Sequence, residues 1–487
     1  MAHNLFYYGI WIDRMLSHID WRISVVNITS NIILNTDSYK ASHYLQYPKN
    51  TDYVSSYIES RGGEYADTLF FGLQMFLKTY LSTPITQQDI EEAEAVLTAH
   101  GEPFNRAGCE YILDKYQGFL PVEIQAVPEG TILPTKNVLV QVVNTDPNCA
   151  WLTSYVETAL LRAIWYPTTV ATISRNCKNL IRAYMDATGD APESVDFKLQ
   201  DFGSRGASSA ETAAIGGLAH LVNFQGTDTV GALIFGQRYY GEPMAGFSIP
   251  AAEHSTITSW GKENEQAAYA NMLEQFSGPE KMVAVVSDSY DLFNAIDNIW
   301  GEELKEKVES TGGTLVVRPD SGDPVEIVVE TIKRLMNKFG FRTNSKGYKV
   351  LPDFIRVIQG DGVCLKSIGS ILAAMKAEQL SVDNIAFGMG GELLQKVNRD
   401  TLKFAMKASA ARVDGKWRDV FKDPITDSGK RSKRGRLALI KDQNGKFQTI
   451  REDELQKDQD NYLRTVFVNG EMLVDDTFSA IRSRTEG

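Results

Sequence analysis

The sequence is poor in the features that mark several classes of protein. Its four cysteines are scattered along 487 residues and form no C-x-x-C pair, so neither a disulfide framework nor a zinc site is indicated. It contains no run of about 18 uncharged apolar residues, so no membrane-spanning helix is predicted. The net charge of −12 disfavours non-specific binding to nucleic acid or to an anionic membrane.

Two common phosphate-binding signatures are also missing. The chain has no G-x-x-x-x-G-K-[ST] loop, and no G-x-G-x-x-G follows an early strand, so neither P-loop nor Rossmann binding is indicated. Residues 1–31 are apolar but interrupted by charges, and they lack a small-residue cleavage site. We therefore interpret them as an N-terminal extension, not a signal peptide, and expect a cytoplasmic protein.

A regular alternation of apolar runs and helix-like stretches begins near residue 195. Most runs start about 30–40 residues after the previous one, which is the size of a βα unit. The seven runs cover residues 195–203, 230–236, 246–254, 282–290, 314–322, 354–362 and 384–391. They predict an α/β barrel of parallel strands, with C-terminal elements, over residues 191–487. Residues 32–190 mix strand and helix patterns, which predicts an N-terminal mixed α+β region.

The ends of the predicted barrel strands carry polar residues. In parallel barrels the functional groups project from the carboxyl ends of the strands. Here those ends hold Asp201, His254, Asp288, Arg318, Asp320, Asp361 and Gly390. Any exposed loop can be polar, but six strand ends that together carry Asp, Arg, His and Gly predict a ligand site.

The stretch LQDFGSRGASSAETAAIGGLAH (199–220) is typical of a strand, a tight turn and a helix. Ser208 and Glu211 form a predicted capping box at the helix N-terminus, where Arg205 could help to bind phosphate. Phe202 could stack on a flat ring. Alternatively, Phe202 belongs to the core and Arg205 to a surface ion pair.

Charged pairs follow two further strands. Arg318 and Asp320 are two residues apart, so in an extended chain they point to the same side. Together they could bind an anion and a hydroxyl or Mg²⁺, or they could simply pair with each other. Of Asp288 and Asp291, one is expected to cap the following helix.

Two glycine-rich turns and a basic loop complete the set. QGDGV (359–363) and FGMGGELLQK (387–396) resemble backbone cradles for phosphate or sugar. KRSKRGR (430–436) is interpreted as a phosphate clamp, although a solvated loop or a nucleic-acid patch would have a similar composition. The whole set suits a phosphorylated sugar and a flat heterocycle, with substitution at a ribose carbon driven by positioning and charge stabilisation.

These motifs resemble the nicotinamide phosphoribosyltransferase family over about residues 32–485. The matching stretches include NTDSYKASHYLQYP, PVEIQAVPEG, DFGSRG, NFQGTDTV, IPAAEHSTITSWG, RPDSG, RVIQGDG and IAFGMGG. The resemblance implies the irregular α/β barrel of type II phosphoribosyltransferases and a homodimer with shared sites. It also implies transfer of phosphoribose from phosphoribosyl pyrophosphate to nicotinamide, in NAD salvage.

The resemblance further implies how the substrates are held. Phe202 and, from the partner subunit, Tyr39 would sandwich the pyridine ring. Asp228 would accept from the carboxamide and repel nicotinate, and Arg318 would reach the carboxamide oxygen or the pyrophosphate. Ribose would be held by Asp320, Gly360 and Asp361. Phosphate and pyrophosphate would be held by Gly390, Gly391 and Arg205 and, from the partner subunit, by Arg61, Arg399, Lys407, Lys422 and Lys430.

By the same resemblance, ATP would be a coupled, non-obligatory co-substrate that phosphorylates His254. An imidazole nitrogen can attack a γ-phosphoryl group. Mg²⁺ is expected near Asp288 and Asp320, bound through pyrophosphate and water.

Four residues depart from the family pattern, namely Gln200, Ala284, Met389 and Ala405. They are expected to alter the pocket shape and to weaken substrate affinity, while the charged set stays complete. Two alternatives remain open. One is an enzyme that uses nicotinate, against which Asp228 argues. The other is a non-catalytic signalling or interaction protein, against which the complete charged set argues.

Overall fold

The computed structural model describes residues 31–426 and 431–486. The predicted N-terminal extension, apart from Asn31, and Lys430 of the basic loop lie outside this described part. The strands are β1 (Thr51–Ser60), β2 (Asp67–Leu69), β3 (Val122–Ala126), β4 (Ile132–Pro134), β5 (Val138–Asn144), β6 (Leu199–Asp201), β7 (Gly226–Thr227), β8 (Met282–Val286), β9 (Thr314–Arg318), β10 (Arg342–Thr343), β11 (Lys349–Val350), β12 (Ile355–Gln359), β13 (Ile385–Met389), β14 (Phe404–Val413), β15 (Lys416–Asp419), β16 (Leu437–Lys441), β17 (Phe447–Arg451), β18 (Arg464–Val468) and β19 (Glu471–Met472).

The helices connect these strands and cover the sheets. The α-helices are Leu73–Phe76, Gln87–His100, Arg106–Tyr116, Leu152–Tyr155, Glu157–Thr188, Ala210–Leu221, Val230–Tyr240, His254–Thr258, Glu265–Phe276, Leu292–Asn294, Lys305–Ser310, Pro324–Phe339, Leu365–Ala377, Gly391–Leu394 and Phe478–Glu486. Short 3-10 helices include Ser38–Leu45 and Ser204–Gly206, and π-helical segments are Leu77–Leu81 and Ala295–Glu303. None of the helices in the described ranges is both long and apolar enough to cross a lipid bilayer.

One sheet is antiparallel and combines strands from before and after the barrel. Its order is β15–β14–β1–β5–β3–β18–β19. Strands β1, β3 and β5 precede the barrel, whereas β14, β15, β18 and β19 follow it. The sheet therefore draws on residues on both sides of the predicted boundary at 190. Its inner face packs against the N-terminal helices in a continuous apolar core.

The other large sheet is parallel, with the order β7–β6–β13–β12–β9–β8. Residues 247–251 connect its two edges, because Phe247 bridges Gly226 of β7 and Ala251 bridges Ala284 of β8, both in parallel. Six strands and this closing segment therefore follow one another around a barrel in chain order. The predicted α/β barrel is confirmed.

The barrel units follow simple rules of burial and capping. Strand β9 is apolar along most of its length because helices cover one face and the barrel interior the other. In the helix Pro324–Phe339, the Asp323 carboxylate accepts from two backbone amides, and proline occupies the first turn. Gly340 follows the last turn with φ +79, a conformation that favours glycine. The helix buries an apolar face at helical spacing, formed by Val328, Thr331, Ile332, Leu335, Met336 and Phe339.

Two local predictions are wrong. The run at 230–236 was predicted as a strand but lies in the helix Val230–Tyr240, and the barrel strand is the two-residue β7 before it. Short apolar runs do not distinguish a strand from a buried helix. The helix at 210 is capped by Ser209, which accepts from the Thr212 amide, and not by the predicted Ser208.

Candidate active site

The barrel brings the predicted polar residues to one end. Phe202 directly follows β6, Asp228 follows β7, and His254 follows the closing segment. Asp288 and Asp320 lie two residues beyond β8 and β9. Because all of these strands run parallel, their carboxyl ends form a common mouth.

Asp288 accepts hydrogen bonds from three other residues of this mouth. Its carboxylate accepts from His254 Nε2 at 2.9 Å, from Ser321 Oγ at 2.5 Å and from the Asp320 amide at 3.1 Å. Burial raises the pKa of Asp288, but the hydrogen bonds from Ser321, His254 and the Asp320 amide outweigh it, so the net pKa is lowered. The prediction that either Asp288 or Asp291 caps the following helix is confirmed. The cap is Asp291, which accepts from the Asn294 amide.

His254 begins the short helix His254–Thr258 and keeps 45% of its side chain exposed, whereas only 4% of Asp288 is exposed. An ionised carboxylate can only accept a hydrogen bond, so the contact with Asp288 assigns the proton to Nε2. In the neutral form of the ring, Nδ1 would then carry the free lone pair. It lies 4.0 Å from Asp320 Oδ2.

Arg318 and Asp320 project to the same side, as their spacing predicts. Arg318 Nη2 donates to Asp320 Oδ2 at 3.1 Å, so they also form the local ion pair that was the alternative. Arg318 Nε is buried and has no hydrogen-bond partner within the described residues. A buried donor without a protein partner is costly, so this edge of the guanidinium is suited to donate to a ligand oxygen.

The Phe202 ring packs against two glycines, Gly388 and Gly360. A Cβ at Gly388 would be 2.1 Å from two carbons of the Phe202 ring, so only glycine fits beneath it. A Cβ at Gly360 would be 3.7 Å from the same ring and 3.6 Å from Asp320 Oδ1. The Phe202 amide donates to Met389 O at 3.0 Å. The ring is half-buried, which combines the predicted stacking surface with a partial place in the barrel interior.

The two predicted glycine turns are neighbours, because β12 and β13 pair in parallel. Gly390 and Gly391 follow β13, and a Cβ at Gly206 would be 3.5 Å from Gly391 Cα. The DFGSRG turn and the second glycine turn therefore meet. Arg205 is exposed beside them, on the 3-10 helix Ser204–Gly206.

Asp228 is exposed at the end of β7. Its amide donates to Asp201 O at 3.0 Å, and Ser248 Oγ donates to its Oδ1 at 2.5 Å. Asp201 is fully buried and accepts from Thr227 Oγ1 and the Gly203 amide. This buried carboxylate ties the turn after β6 to the turn after β7.

A second group of predicted residues lies on or beside the antiparallel sheet: Lys407 is on β14, Arg61 directly follows β1, and Arg399 and Lys422 lie in the segments before β14 and after β15. Burial lowers the pKa of Lys407, and the negative charge of Glu157 opposes this effect. The positive charges of Arg61, Lys40 and Arg399 lower the pKa further, so these three cations lie near Lys407. Tyr39 is 54% exposed on the helix Ser38–Leu45. Within the described residues, no hydrogen bond or ion pair joins Tyr39, Arg61, Arg399, Lys407 or Lys422 to the barrel mouth.

The basic loop is largely paired within the chain. Arg431 and Arg434 both contact Asp423, and Arg436 contacts Glu452 at 2.8 Å. Lys433 pairs with buried Glu59 of β1. These arginines and Lys433 are therefore engaged within the chain, and of the loop's two lysines only Lys430, which lies outside the described residues, is left for the predicted phosphate clamp.

Comparison with known proteins identifies the family. Residues 197–471 match the profile of the nicotinate phosphoribosyltransferase (NAPRTase) family, and residues 31–124 match the nicotinamide phosphoribosyltransferase N-terminal domain. The nicotinamide phosphoribosyltransferase of Xanthomonas campestris pv. campestris (strain 8004) is 54% identical over 461 residues, covering 94% of this chain and 98% of that protein. The chain belongs to the nicotinamide phosphoribosyltransferase family. This confirms the resemblance drawn from the motifs and makes the chain a member of an enzyme family.

More distant proteins share either the family or the fold. The nicotinamide phosphoribosyltransferase of Acinetobacter baylyi (strain ATCC 33305 / BD413 / ADP1) is 33% identical and covers 92% of this chain and 95% of its own length. The crystal structure of nicotinate-nucleotide pyrophosphorylase from Pyrococcus furiosus has a TM-score of 0.62 at 16% identity, over 96% of this chain and 97% of that one. Human nicotinic acid phosphoribosyltransferase gives 0.51 at 16% identity, over 93% and 92%. At this identity the likeness concerns the fold alone, and it confirms the type II phosphoribosyltransferase barrel.

The residues that depart from the family pattern occupy defined places. Ala284 lies in the apolar barrel interior with Phe202. Gln200 donates to Phe197 O at 2.8 Å, and Met389 is buried beneath the Phe202 turn. Ala405 is on β14, opposite Glu59 of β1.

Sequence reasoning missed three polar residues of the mouth. Ser248 and Ser321 donate to the carboxylates of Asp228 and Asp288. Gln359 is buried at the end of β12, and its amide donates to Asp361 O at 2.7 Å. Ser248 lies in the run 246–254, Ser321 in RPDSG and Gln359 in QGDGV, but an uncharged polar side chain beside charged ones carries no local signal of its role.

Proposed function

We propose that this protein transfers the phosphoribosyl group of phosphoribosyl pyrophosphate to nicotinamide, giving nicotinamide mononucleotide and pyrophosphate, as a step of NAD salvage. The observation that carries the proposal is the 54% identity, over nearly the full length of both chains, to a nicotinamide phosphoribosyltransferase. The local chemistry supports it. Asp228 supplies an acceptor for a carboxamide NH₂ and a charge that repels a carboxylate.

The reaction needs no proton transfer from the protein. The bond between ribose C1 and the pyrophosphate oxygen breaks, and the pyridine nitrogen lone pair forms the new bond to C1. The protein's work is to hold both partners in line and to stabilise charge. We assign ring stacking to Phe202 and ribose binding to Asp320, Gly360 and Asp361. The unpartnered Arg318 Nε is suited to the carboxamide oxygen or to pyrophosphate.

Mg²⁺ fits this mouth as an ion that arrives with its polyphosphate. No cluster of three or more His, Cys, Asp or Glu side chains suited to a metal occurs among the described residues. Three protein donors already contact Asp288, whereas Asp320 Oδ1 accepts no hydrogen bond from the described residues. An ion held mainly by phosphate and water, beside Asp288 and Asp320, is what Mg²⁺ chemistry favours. When bound, it would neutralise charge on the departing pyrophosphate.

We further propose that ATP stimulates the reaction by phosphorylating His254 on Nδ1. The contact with Asp288 keeps the proton on Nε2, so the Nδ1 lone pair can attack the γ-phosphorus while the bond to the ADP oxygen breaks. The exposed position of the ring leaves room for the incoming nucleotide.

The site is proposed to be shared between two subunits. Among the described residues, Tyr39, Arg61, Arg399 and Lys407 form no hydrogen bond or ion pair with the mouth of their own barrel, so they are assigned to the mouth of a partner, together with Lys422 and Lys430. Subunit complementation tests this sharing. Arg61→Ala and Asp320→Ala should each be inactive, and mixing them through unfolding and refolding should restore about a quarter of the wild-type activity. No recovery from the mixture would refute shared sites.

The primary experiment asks which base is used. Purified protein is incubated with phosphoribosyl pyrophosphate, Mg²⁺ and either nicotinamide or nicotinate, with and without ATP, and the mononucleotide is read by mass spectrometry. Product from nicotinamide alone, raised by ATP, is expected. Product from nicotinate alone would favour the second candidate function, which the NAPRTase profile supports. No product from either would favour a non-catalytic interaction protein.

A further inference from the structure

We propose that Ser248 is a positioning residue that orients Asp228 and thereby sets the preference for a carboxamide over a carboxylate. The inference rests on the proposed function and adds a specificity determinant to it. Ser248 lies in the segment that closes the barrel, outside the set of charged residues at the strand ends.

Barrel closure places the two side chains together. Phe247 bridges Gly226 of β7, the Thr227 amide donates to Phe247 O at 3.0 Å, and the Phe247 amide donates to Gln225 O at 2.7 Å. Ser248 and Asp228 each lie just beyond this paired stretch of backbone. Their proximity is therefore fixed by main-chain hydrogen bonds and does not depend on flexible side chains.

The contact itself is short and has one direction. Ser248 Oγ lies 2.5 Å from Asp228 Oδ1, and an ionised carboxylate can only accept, so the serine donates. Asp228 is exposed, and within the described residues its side chain makes no other hydrogen bond. The serine is thus what holds the plane of the carboxylate, and Oδ2 stays available to a ligand.

The hydrogen bond affects the choice between nicotinamide and nicotinate through both Asp228 and Ser248. With its plane fixed, Asp228 presents Oδ2 as an acceptor suited to an amide NH₂. Ser248 has a single proton, and while that proton is donated to Asp228 it cannot be donated to the carboxylate of nicotinate. Both partners therefore present only lone pairs to the base, which favours a donor ligand and disfavours an acceptor ligand.

The test is a double-mutant cycle with both bases as substrates. Ser248→Ala, Ser248→Thr, Asp228→Ala and the double variant Ser248→Ala/Asp228→Ala are compared with the wild type. Thermal melting establishes that each variant is folded. Ser370→Ala is the matched control, because Ser370 is exposed and its hydroxyl donates only to Lys366 O of its own helix.

Ser248→Ala should raise the KM for nicotinamide about tenfold, the factor expected for one hydrogen bond to a charged group. Its kcat and its KM for phosphoribosyl pyrophosphate should stay near wild-type values, and Ser248→Thr should restore the KM for nicotinamide. In the Asp228→Ala background the serine change should add nothing, since Ser248 acts through Asp228.

Two results would overturn the role of Ser248 and leave the proposed function intact. One is an unchanged KM for nicotinamide in Ser248→Ala. The other is an equal loss from Ser248→Ala with and without Asp228, which would mean that the serine contacts the base directly. A wild-type protein that makes no mononucleotide from nicotinamide would instead refute the proposed function, and this inference with it.

Discussion

Burial of one carboxyl group should make the stability of this protein depend on pH. Glu129, in the turn before β4, is only 6% exposed. It accepts from the Gln74 amide at 2.7 Å and from Tyr240 Oη at 2.8 Å, so it joins the N-terminal region to a barrel helix. Burial raises the pKa of Glu129 to about 7 despite these hydrogen bonds, and nearby Asp476 raises it further.

The direction of the effect follows from where each state loses its proton. An unfolded glutamate has a pKa of 4.5, well below the folded value of Glu129. Between these values the unfolded chain is ionised while the folded chain keeps its proton, so the free energy of unfolding falls as the pH rises. Above the folded pKa the loss is complete. A difference of about 2.5 units corresponds to about 3 kcal/mol.

Glu129→Gln should abolish this dependence, because the amide stays neutral at every pH. Urea unfolding of the variant and the wild type, measured from pH 4.5 to pH 8, should show the variant gaining about 3 kcal/mol relative to the wild type over that range. Glu91→Gln is the control, since Glu91 is exposed on the helix Gln87–His100. Curves for wild type and Glu129→Gln that run parallel across this range would refute the reasoning.

Three further outcomes are expected at the mouth. His254→Ala should lose stimulation by ATP but retain slower, ATP-independent synthesis, and persistent stimulation in a steady-state assay would exclude the phospho-histidine role. Asp288→Asn should lower the ATP-stimulated rate about tenfold or more, because it removes the ionised acceptor that orients His254; an unchanged rate would contradict that orienting role. Gln359→Leu should leave Asp361 O without its donor and raise the KM for phosphoribosyl pyrophosphate about tenfold, with the KM for nicotinamide unchanged.

The barrel was predictable because its signals are local. Strands β8, β9, β12 and β13 are apolar runs that end in polar turns, and each lies inside a predicted run. The pairing of Arg318 with Asp320 followed from the two-residue period of an extended chain. The cap at Asp291 followed from its place before a helix.

Features that depend on distant pairing were not predictable. The two-residue strand β7 is too short to show a period of two, so the apolar run at 230–236 carries the stronger strand signal although it is helical. Ser248 reaches Asp228 only because residues 247–251 close the barrel, a contact that spans twenty residues and has no local pattern. The antiparallel sheet likewise pairs β1 with β14, more than 340 residues along the chain.

The charges of the mouth bear on why the proposed site would need two subunits. Asp288 is ionised, and Asp228, Asp320 and Asp361 surround the same opening, whereas Arg318 is already paired with Asp320. Such a mouth suits an uncharged base but repels a substrate that carries a phosphate and a pyrophosphate. The compensating cations, Arg61, Arg399 and Lys407, lie close together on and beside strands β1 and β14, and burial together with the charges of Arg61 and Arg399 lowers the pKa of Lys407. A phosphate placed among them would relieve that repulsion, so bringing the sheet of one subunit to the barrel of another would satisfy both surfaces at once.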